Sequence, residues 1–538
     1  MKAPIVDLQW DQFTPPHSTA MSERPTPLVL QCVELDSAAA VPLYRQLYRD
    51  LRQAILSSKL LPEMRLPSTR ALADNLEISR NTVLEAYEQL VAEGYLESRV
   101  GSGTYVAQEL PEELLHVRGQ SHLNTPSEQG SDGSSGVSPL SARGELLTDI
   151  ELSSFRADEK PRAFRPGLPA LDAFPIELWS RLTSRRWRSL PGSMLGYRRS
   201  TGYPPLREAI ATYLQASRGV HCSPEQVIIV SGTQQAITLT AHVLLDPGDR
   251  AWIEDPGYPR AQGAFRWAGA QTVPVPLDDE GLTLDQARSG EDDARLAYVT
   301  PSHQYPLGMT MSLPRRLELL DWAETSDAWI LEDDYDSEYR YEGRPIAALQ
   351  GLDDAGRVIY VGSFSKVLFP ALRLGYLVAP ESLVESFSAA KSLVGRCPPL
   401  APQMVVTDFL EEGHFERHVR RMRTLYAERQ SILIEALTEQ AGDQVDVSSD
   451  EAGLHLTVFL NGNLDDQIVS AALQDRDIVA PPLSFYSARS LDRDGLVLGY
   501  AAINEADIRD GVDQFGEALR CERDGTPNPI PTEHAELV

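Results

Sequence analysis

Lys366 closes a run of small and hydroxyl residues, Gly362-Ser363-Phe364-Ser365-Lys366, that follows the apolar stretch Val358-Ile359-Tyr360-Val361. The pattern reads as a buried strand ending in a turn. Backbone N–H groups and serine oxygens at such a turn accept a closely approaching phosphate, and Arg373 just beyond offers a charged fork. A lysine there can attack a carbonyl as a Schiff-base nucleophile. Alone the run says little, because most loop lysines are solvated.

Three further stretches point the same way. Ala328-Trp329-Ile330-Leu331 is an apolar strand that runs into Glu332-Asp333-Asp334-Tyr335. A carboxylate at a buried strand end, Asp333, suits a protonated pyridine nitrogen, and Tyr335 suits a phenolic oxygen. The bland alternative is a solvated acidic turn. Val227-Ile228-Ile229-Val230 leads into Ser231-Gly232-Thr233, a strand, a glycine turn and a helix start that together cradle phosphate. Ile253-Glu254-Asp255-Pro256-Gly257-Tyr258 ends in an aromatic able to stack on a ring.

These residues need a frame, and from about 161 to 520 short apolar strands alternate with helical patterns, the signature of an α/β domain. The whole chain of 538 residues is too long for one ordinary core. Residues 1–40 are Pro-rich and read as loose, with a short strand at 28–33. Residues 41–106 form a patterned unit. Residues 107–160 have the Gly, Ser and Asp composition of a flexible linker, and 521–538 of a tail. No internal repeat occurs, and no run of about 18 apolar residues predicts a membrane span. Four scattered cysteines without a C-x-x-C pair argue against a disulfide framework and a zinc site, so no metal is expected and a reducing cytoplasm is.

The unit at 41–106 has another chemistry. Leu43, Leu47, Leu51 and Ile55 mark one buried helix stripe after Pro42; Ser68 caps a second helix with Leu72 and Leu76; Ser79 caps a third with Val83, Tyr87 and Leu90. Leu96 and Val100 to Val106, interrupted by Gly101 and Gly103, read as a hairpin. Three helices and a glycine-tipped hairpin make a winged helix-turn-helix. The third helix opens on Ser79-Arg80-Asn81-Thr82, a polar first turn before an apolar face, as a recognition helix requires. A merely capped, solvated helix start is the alternative that this order of elements disfavours. The net charge of −29 speaks against nucleic acid, yet 41–106 hold eight basic and eight acidic side chains, so the surplus acid lies elsewhere.

Arg65-Leu66-Pro67-Ser68-Thr69-Arg70, Ile78 to Val83, Glu93 to Leu96 and Gly101 to Thr104 resemble the GntR-type winged helix. The resemblance implies DNA contacts at Arg70, Ser79, Arg80, Asn81 and Thr82, with a wing at Gly101 to Gly103 in the minor groove. Leu84 stands where many relatives carry another basic residue. From 165 to 515 the chain resembles fold-type I aminotransferases, with a large domain to about 395 and a small one after it. The whole resembles the MocR/GabR-type regulators. Matching stretches include Gly202 to Ile210, Ser231 to Ala236, Glu254 to Tyr258, Thr300 to Pro306, Glu332 to Tyr335, Ser363 to Lys366 and Arg373 to Tyr376.

That resemblance implies pyridoxal 5'-phosphate (PLP) as cofactor. Lys366 resembles its Schiff-base lysine, Asp333 the pyridinium partner, Tyr335 the phenolic-oxygen partner and Tyr258 the stacking residue. Gly232, Thr233, Ser363, Ser365 and Arg373 resemble phosphate ligands, and Tyr197 the tyrosine that reaches the phosphate from a second subunit, which implies a head-to-tail homodimer. Two departures matter. Tyr305-Pro306-Leu307-Gly308 replaces the usual N-P-x-G, and Val497 stands about where an arginine clamps the substrate carboxylate. Arg260, Arg489 and Arg493 are the candidates to substitute. The expected function is a PLP-dependent regulator of double-stranded DNA that senses an amine, an amino acid derivative or PLP itself. An aminotransferase with a DNA-binding appendage is the alternative.

Overall fold

The computed structural model describes residues 41–108, 140–149 and 163–524, save short stretches at 58, 100–101, 197–198, 291–293, 342–345, 449–451 and 463, and a few positions between 29 and 39. The chain divides into two compact units, Met1–Ser135 and Gly136–Val538.

In the first unit, α1 (Leu43–Leu56) buries Leu47, Leu51 and Ile55. Helix α2 (Thr69–Leu76) starts where the Ser68 hydroxyl accepts the Ala71 N–H at 3.2 Å, and stops at Glu77, whose φ of 54° turns the chain sharply. Helix α3 (Arg80–Ala92) starts the same way, with Ser79 accepting from the Thr82 N–H at 3.1 Å. Each cap satisfies a backbone donor that the helix itself leaves unpaired. Strands β1 (Leu96–Arg99) and β2 (Gly103–Val106) pair antiparallel. Leu66 N–H to the Thr104 carbonyl and Val106 N–H to the Met64 carbonyl, both 2.9 Å, lay the approach to α2 along β2. Of the strand expected at 28–33, the described residues form a turn instead: Val29 is helical, and the Cys32 N–H closes back on the Val29 carbonyl at 3.1 Å. A strand needs a neighbour for its backbone groups, and this segment pairs locally instead. Its valines, Val29 and Val33, still reach the core.

The second unit holds α4 (Ala142–Asp149), α5 (Ile176–Arg188), α6 (Pro204–Arg218), β3 (Val227–Val230), α7 (Thr233–Leu244), β4 (Arg250–Asp255), α8 (Pro259–Ala268), β5 (Gln271–Asp278), β6 (Gly281–Leu282), β7 (Leu296–Val299), α9 (Leu313–Thr325), β8 (Trp329–Asp334), β9 (Val358–Ser363) and β10 (Gly375–Val378). Then come α10 (Val384–Val394), α11 (Leu400–Glu411), α12 (His414–Ala441), β11 (Val445–Val447), β12 (His455–Leu460), α13 (Asp466–Gln474), β13 (Gly495–Gly499) and α14 (Glu505–Asp524). Helix α4 lies within the stretch expected to be coil. Its signal was the cap Ser141, whose hydroxyl accepts the Gly144 N–H at 3.1 Å, hidden in a Gly- and Ser-rich surrounding. Most of 107–160 lies outside the described residues. Helix α14 runs four residues into the expected tail.

The eight-stranded sheet has the order β3-β10-β9-β8-β7-β4-β5-β6. Strands β9, β8, β7, β4 and β5 run parallel, while β10 is antiparallel to both β9 and β3. The carboxyl ends of β3, β4, β7, β8 and β9 therefore share one edge with the amino end of β10. In open α/β sheets ligands gather at that edge. A separate three-stranded sheet, β11-β12-β13, is joined by Phe164, which bridges to Gly499 and is fully buried. All four cysteines are free. No helix among the described residues is long and apolar enough to cross a membrane.

Candidate cofactor site and nucleic-acid interface

The sheet edge gathers most of the residues singled out from sequence. Gly375 pairs with Val230 on one side and Ser363 on the other. A Cβ on Gly375 would lie 3.1 Å from the Gly232 Cα. This register sets the Gly232 turn, the Ser363 turn and the Arg373 corner together. Gly232 needs φ of 115°, and a Cβ there would meet nothing within 4 Å, so open space lies over the start of the twelve-residue α7, which opens on Thr233. The Ser363 hydroxyl accepts the Ser365 N–H at 3.1 Å, which orients the short turn carrying Lys366.

The pleat of β8 separates its two aspartates. Asp334 is spent on structure: the Arg218 guanidinium donates to it at 2.9 Å and the Tyr360 hydroxyl at 2.6 Å. Asp333 accepts from the Tyr298 hydroxyl at 2.8 Å through Oδ2, and its buried Oδ1 has no hydrogen-bond partner among the described residues. Burial pushes the Asp333 carboxyl up to about 7. A buried carboxylate in that state favours any cation brought to it. Lys366 Nζ donates to the Gly167 carbonyl at 2.6 Å. Desolvation lowers the lysine from its usual range, Asp336 and Asp333 oppose this, and the charges of Arg165 and Arg260 add to the lowering.

A loop after β7 completes the wall. Buried Glu254 at the end of β4 fixes that loop, accepting from the Thr300 hydroxyl at 2.6 Å and the Thr300 N–H at 3.2 Å. Tyr305 on the loop meets Tyr258, Tyr335 and Tyr486 edge-on, at ring separations of 5.8, 5.8 and 5.4 Å. Tyr335 Oη lies 2.9 Å from His303 Nδ1. Val497, opposite Thr457 across β12 and β13, is fully buried with Leu483 and Tyr486 and is packed by Tyr305, Leu307 and Phe485. Val497 thus sits in a packed apolar and aromatic cluster.

The three substitute arginines separate. Arg260 is exposed, and its charge is felt by both Tyr258 and Lys366. Arg489 donates to Asp255 at 3.0 Å. Arg493 pairs with Asp446 and Asn461, with its guanidinium 4.9 Å from the Phe459 ring centre, and serves the small sheet. Sequence reasoning missed Arg165 and Gly167, which reach Lys366 from a segment with no strand or helix pattern. It also gave no role to His303 or Asp336. Tyr197 and Gly101 lie outside the described residues.

In the first unit, Arg80 Nε lies 3.4 Å from the Thr69 hydroxyl, so α2 and α3 begin side by side. Arg70, Arg80 and Asn81 are exposed there and Thr82 half-buried, with the Ser79 hydroxyl engaged as the cap. Leu84, one turn along α3 from Arg80, is a large apolar residue left 38% exposed. Gly103, at φ 118°, comes close to Arg65: a Cβ on it would lie 3.0 Å from the guanidinium. Gly103 pairs with Arg99 at the turn end of the hairpin, so the Arg65 guanidinium is a basic group beside that turn, to which the sequence alone assigns no role.

Comparisons with known proteins cover both units. The family "Bacterial regulatory proteins, gntR family" matches residues 43–106, and "Aminotransferase class I and II" matches 175–515. The chain is 44% identical to the probable rhizopine catabolism regulatory protein MocR of Rhizobium meliloti, over 90% of this chain and 95% of that protein. It is 33% identical to the HTH-type transcriptional regulator TauR of Rhodobacter capsulatus, over 89% and 96%. Among solved structures, LysN, the α-aminoadipate aminotransferase of Thermus thermophilus complexed with N-(5'-phosphopyridoxyl)-L-leucine, superposes with a TM-score of 0.65 at 30% identity, over 71% of this chain and 98% of that one.

The residues present fit PLP. Asp333 offers an unmatched buried acceptor, the Gly232 turn an open helix start, and Lys366 a desolvated amine, all at one sheet edge.

Proposed function

The chain belongs to the MocR-type regulators of the gntR family, DNA-binding transcription regulators with an aminotransferase-like, PLP-binding domain, and we propose that this domain senses a small amine, an amino acid derivative or PLP itself and thereby alters DNA binding. Bound there, PLP supplies an electrophilic aldehyde and an electron-withdrawing ring. Lys366 would hold it, Asp333 would take the pyridine nitrogen through Oδ1, and Tyr335 would face the phenolic oxygen. Gly232, Thr233, Ser363, Ser365 and Arg373 would hold the phosphate, and Tyr258 would lie against the ring.

The observation that carries the sensing reading is the packed apolar cluster around Val497. Holding a substrate by its carboxylate supplies much of the rate of amino-group transfer, and here that place is filled by Val497, Leu483, Tyr486 and Tyr305. The cofactor-holding groups stand without the clamp. Arg165 and Arg260 are the cations whose charge reaches Lys366, and of the three substitute arginines Arg260 is the one that would meet an anionic effector there. The DNA contacts would be Arg70, Ser79, Arg80, Asn81 and Thr82, with Gly101 and Gly103 in the wing.

A homodimer completes the reading. Trp187, Leu195, Leu393 and Val394 are large apolar residues left exposed, Leu195 at 70% and Leu393 at 88%. Leu195 and Trp187 line a groove with Pro399 and Met404, beside the segment that holds Tyr197. A second copy seated there, in a head-to-tail pair, is the arrangement in which the family resemblance would have Tyr197 serve the other subunit's phosphate site. The test is a screen of primary amines and amino acids against the PLP-loaded protein. The effector should shift the PLP absorption band and change the affinity for the gene's upstream DNA. If amines that shift the band leave DNA affinity unchanged, the sensing reading fails.

A further inference from the structure

Arg65 and Arg99 lie on the exposed face of the hairpin, and the fold treats them differently. Leu96 and Val106 pair across β1 and β2 and are buried, so the alternating positions Glu97, Arg99, Gly103 and Tyr105 point the other way. Arg65 bridges to Tyr105 from the far side of β2 and joins that face. Arg65 and Arg99 therefore flank Gly103, which has no side chain to stand between them.

Arg99 is occupied. Its guanidinium lies over the Tyr105 ring, 4.7 Å from the centre, and pairs with Glu63 at 3.4 Å and Glu97 at 3.7 Å. Arg65 is exposed, and among the described residues its side chain has no hydrogen bond or ion pair. Its Nε lies 3.0 Å from where a Cβ of Gly103 would be, and its Nη2 3.4 Å, so the guanidinium rests on bare backbone. That seat holds the side chain at the turn end of the hairpin and leaves its donors open, which lowers the ordering cost of a contact made there.

One short segment ties this turn to the helix starts. Leu66 N–H bonds the Thr104 carbonyl at 2.9 Å, the Tyr87 hydroxyl of α3 donates to the Pro67 carbonyl at 3.0 Å, and Ser68 caps α2. A thin turn with an open guanidinium suits the minor groove of DNA, about 6 Å wide against about 12 Å for the major groove that admits a helix. A narrow A·T-rich minor groove concentrates negative potential, and a guanidinium is less strongly hydrated than an ammonium. We propose that Arg65 is the specificity-determining residue of the hairpin: its guanidinium enters the minor groove and makes the protein prefer A·T pairs there, while Arg99 stays on the protein. The proposal rests on the reading of the first unit as a DNA reader whose hairpin is the wing.

The test measures the affinity of the full-length, PLP-loaded protein for its upstream DNA, with the half-sites placed by footprinting. The A·T pairs flanking them are kept, replaced by G·C, or replaced by inosine·C. Inosine is guanine without the 2-amino group, the donor that marks G·C in the minor groove. Wild type should bind the A·T and inosine fragments alike and the G·C fragment about tenfold more weakly. Arg65→Ala should lose about tenfold on the first two and nothing further on the third, so the discrimination disappears. Arg99→Ala should cost about twofold and keep the discrimination, since Arg99 is already paired. Arg65 has no bonded partner to lose, so Arg65→Ala should fold; Arg65→Gln repeats the measurement if it does not.

Wild-type affinity that ignores the three flanks overturns the proposal. Equal loss on all three in Arg65→Ala, with the discrimination kept, makes Arg65 a phosphate contact and overturns it too. Arg99→Ala costing as much as Arg65→Ala overturns the division between the two arginines. Unchanged affinity in Arg65→Ala, where Arg80→Ala loses about tenfold, overturns this proposal alone. No loss in either variant overturns the reading of the DNA unit.

Discussion

Arg80 and Lys366 are both basic residues close to the start of a helix, but the two units treat them in opposite ways. Arg80 stands exposed at the start of α3, and among the described residues its side chain has one hydrogen bond, to the Thr69 hydroxyl at 3.4 Å. Lys366 is set among Asp336, Asp333, Arg165 and Arg260 and has its ammonium lowered by desolvation. The first unit presents its charge to a partner that brings opposite charge along its whole length. The second uses burial to change what its groups do. The difference teaches where substitution should act: on affinity and salt dependence in the first unit, on protonation and colour in the second.

The largest effect should come from the buried side. Lys366→Ala should abolish the visible absorption band that borohydride removes from the wild type; a colourless wild type supplied with PLP would refute the cofactor assignment of Lys366. Asp333→Asn should weaken PLP binding about 10- to 100-fold, the size of a buried, charge-assisted hydrogen bond, read by equilibrium titration of the band. On the exposed side, Arg80→Ala should weaken binding to the upstream DNA about tenfold in a gel-shift assay and reduce the salt slope by about one. Leu84→Lys should do the reverse, adding about one to the slope, since it places a cation on an exposed position of α3.

The smallest effect concerns stability of the PLP-free protein. Asp333 titrates near 7 when folded, above its ordinary 3.8. Folding therefore favours the protonated acid, and the stability that protonation lends falls as pH rises between about 4 and 7. Glu254, Glu332 and Glu338, also held up to about 7 by burial, share the trend. Asp333→Asn should flatten the pH dependence of Tm over this window without abolishing it.

The units also differ in how far the sequence revealed them. In the first, caps and stripes carry the fold locally: Ser68, Ser79 and the spacing of Leu47, Leu51 and Ile55 are short-range signals, and the three helices and hairpin follow from them. In the second, Asp333, Lys366 and Gly232 were legible because each ends a strand, and strand ends meet at one edge. Arg165, Gly167 and the contact of His303 with Tyr335 were not, because they arise from chain crossings between residues far apart in sequence. Helix α4 and the turn at Val29 were missed for a simpler reason: composition masked a cap in one case, and apolar residues suit a turn as well as a strand in the other.

The central claim is that the state of the cofactor site governs the DNA reader. Its most direct measurement is the affinity of one upstream DNA fragment, at one salt concentration, for PLP-free wild type, PLP-loaded wild type and Lys366→Ala with PLP present. The account predicts that loading the wild type, alone or with its effector, changes the affinity, and that Lys366→Ala stays at the PLP-free value. Equal affinities in all three, with and without an effector that shifts the band, would contradict it.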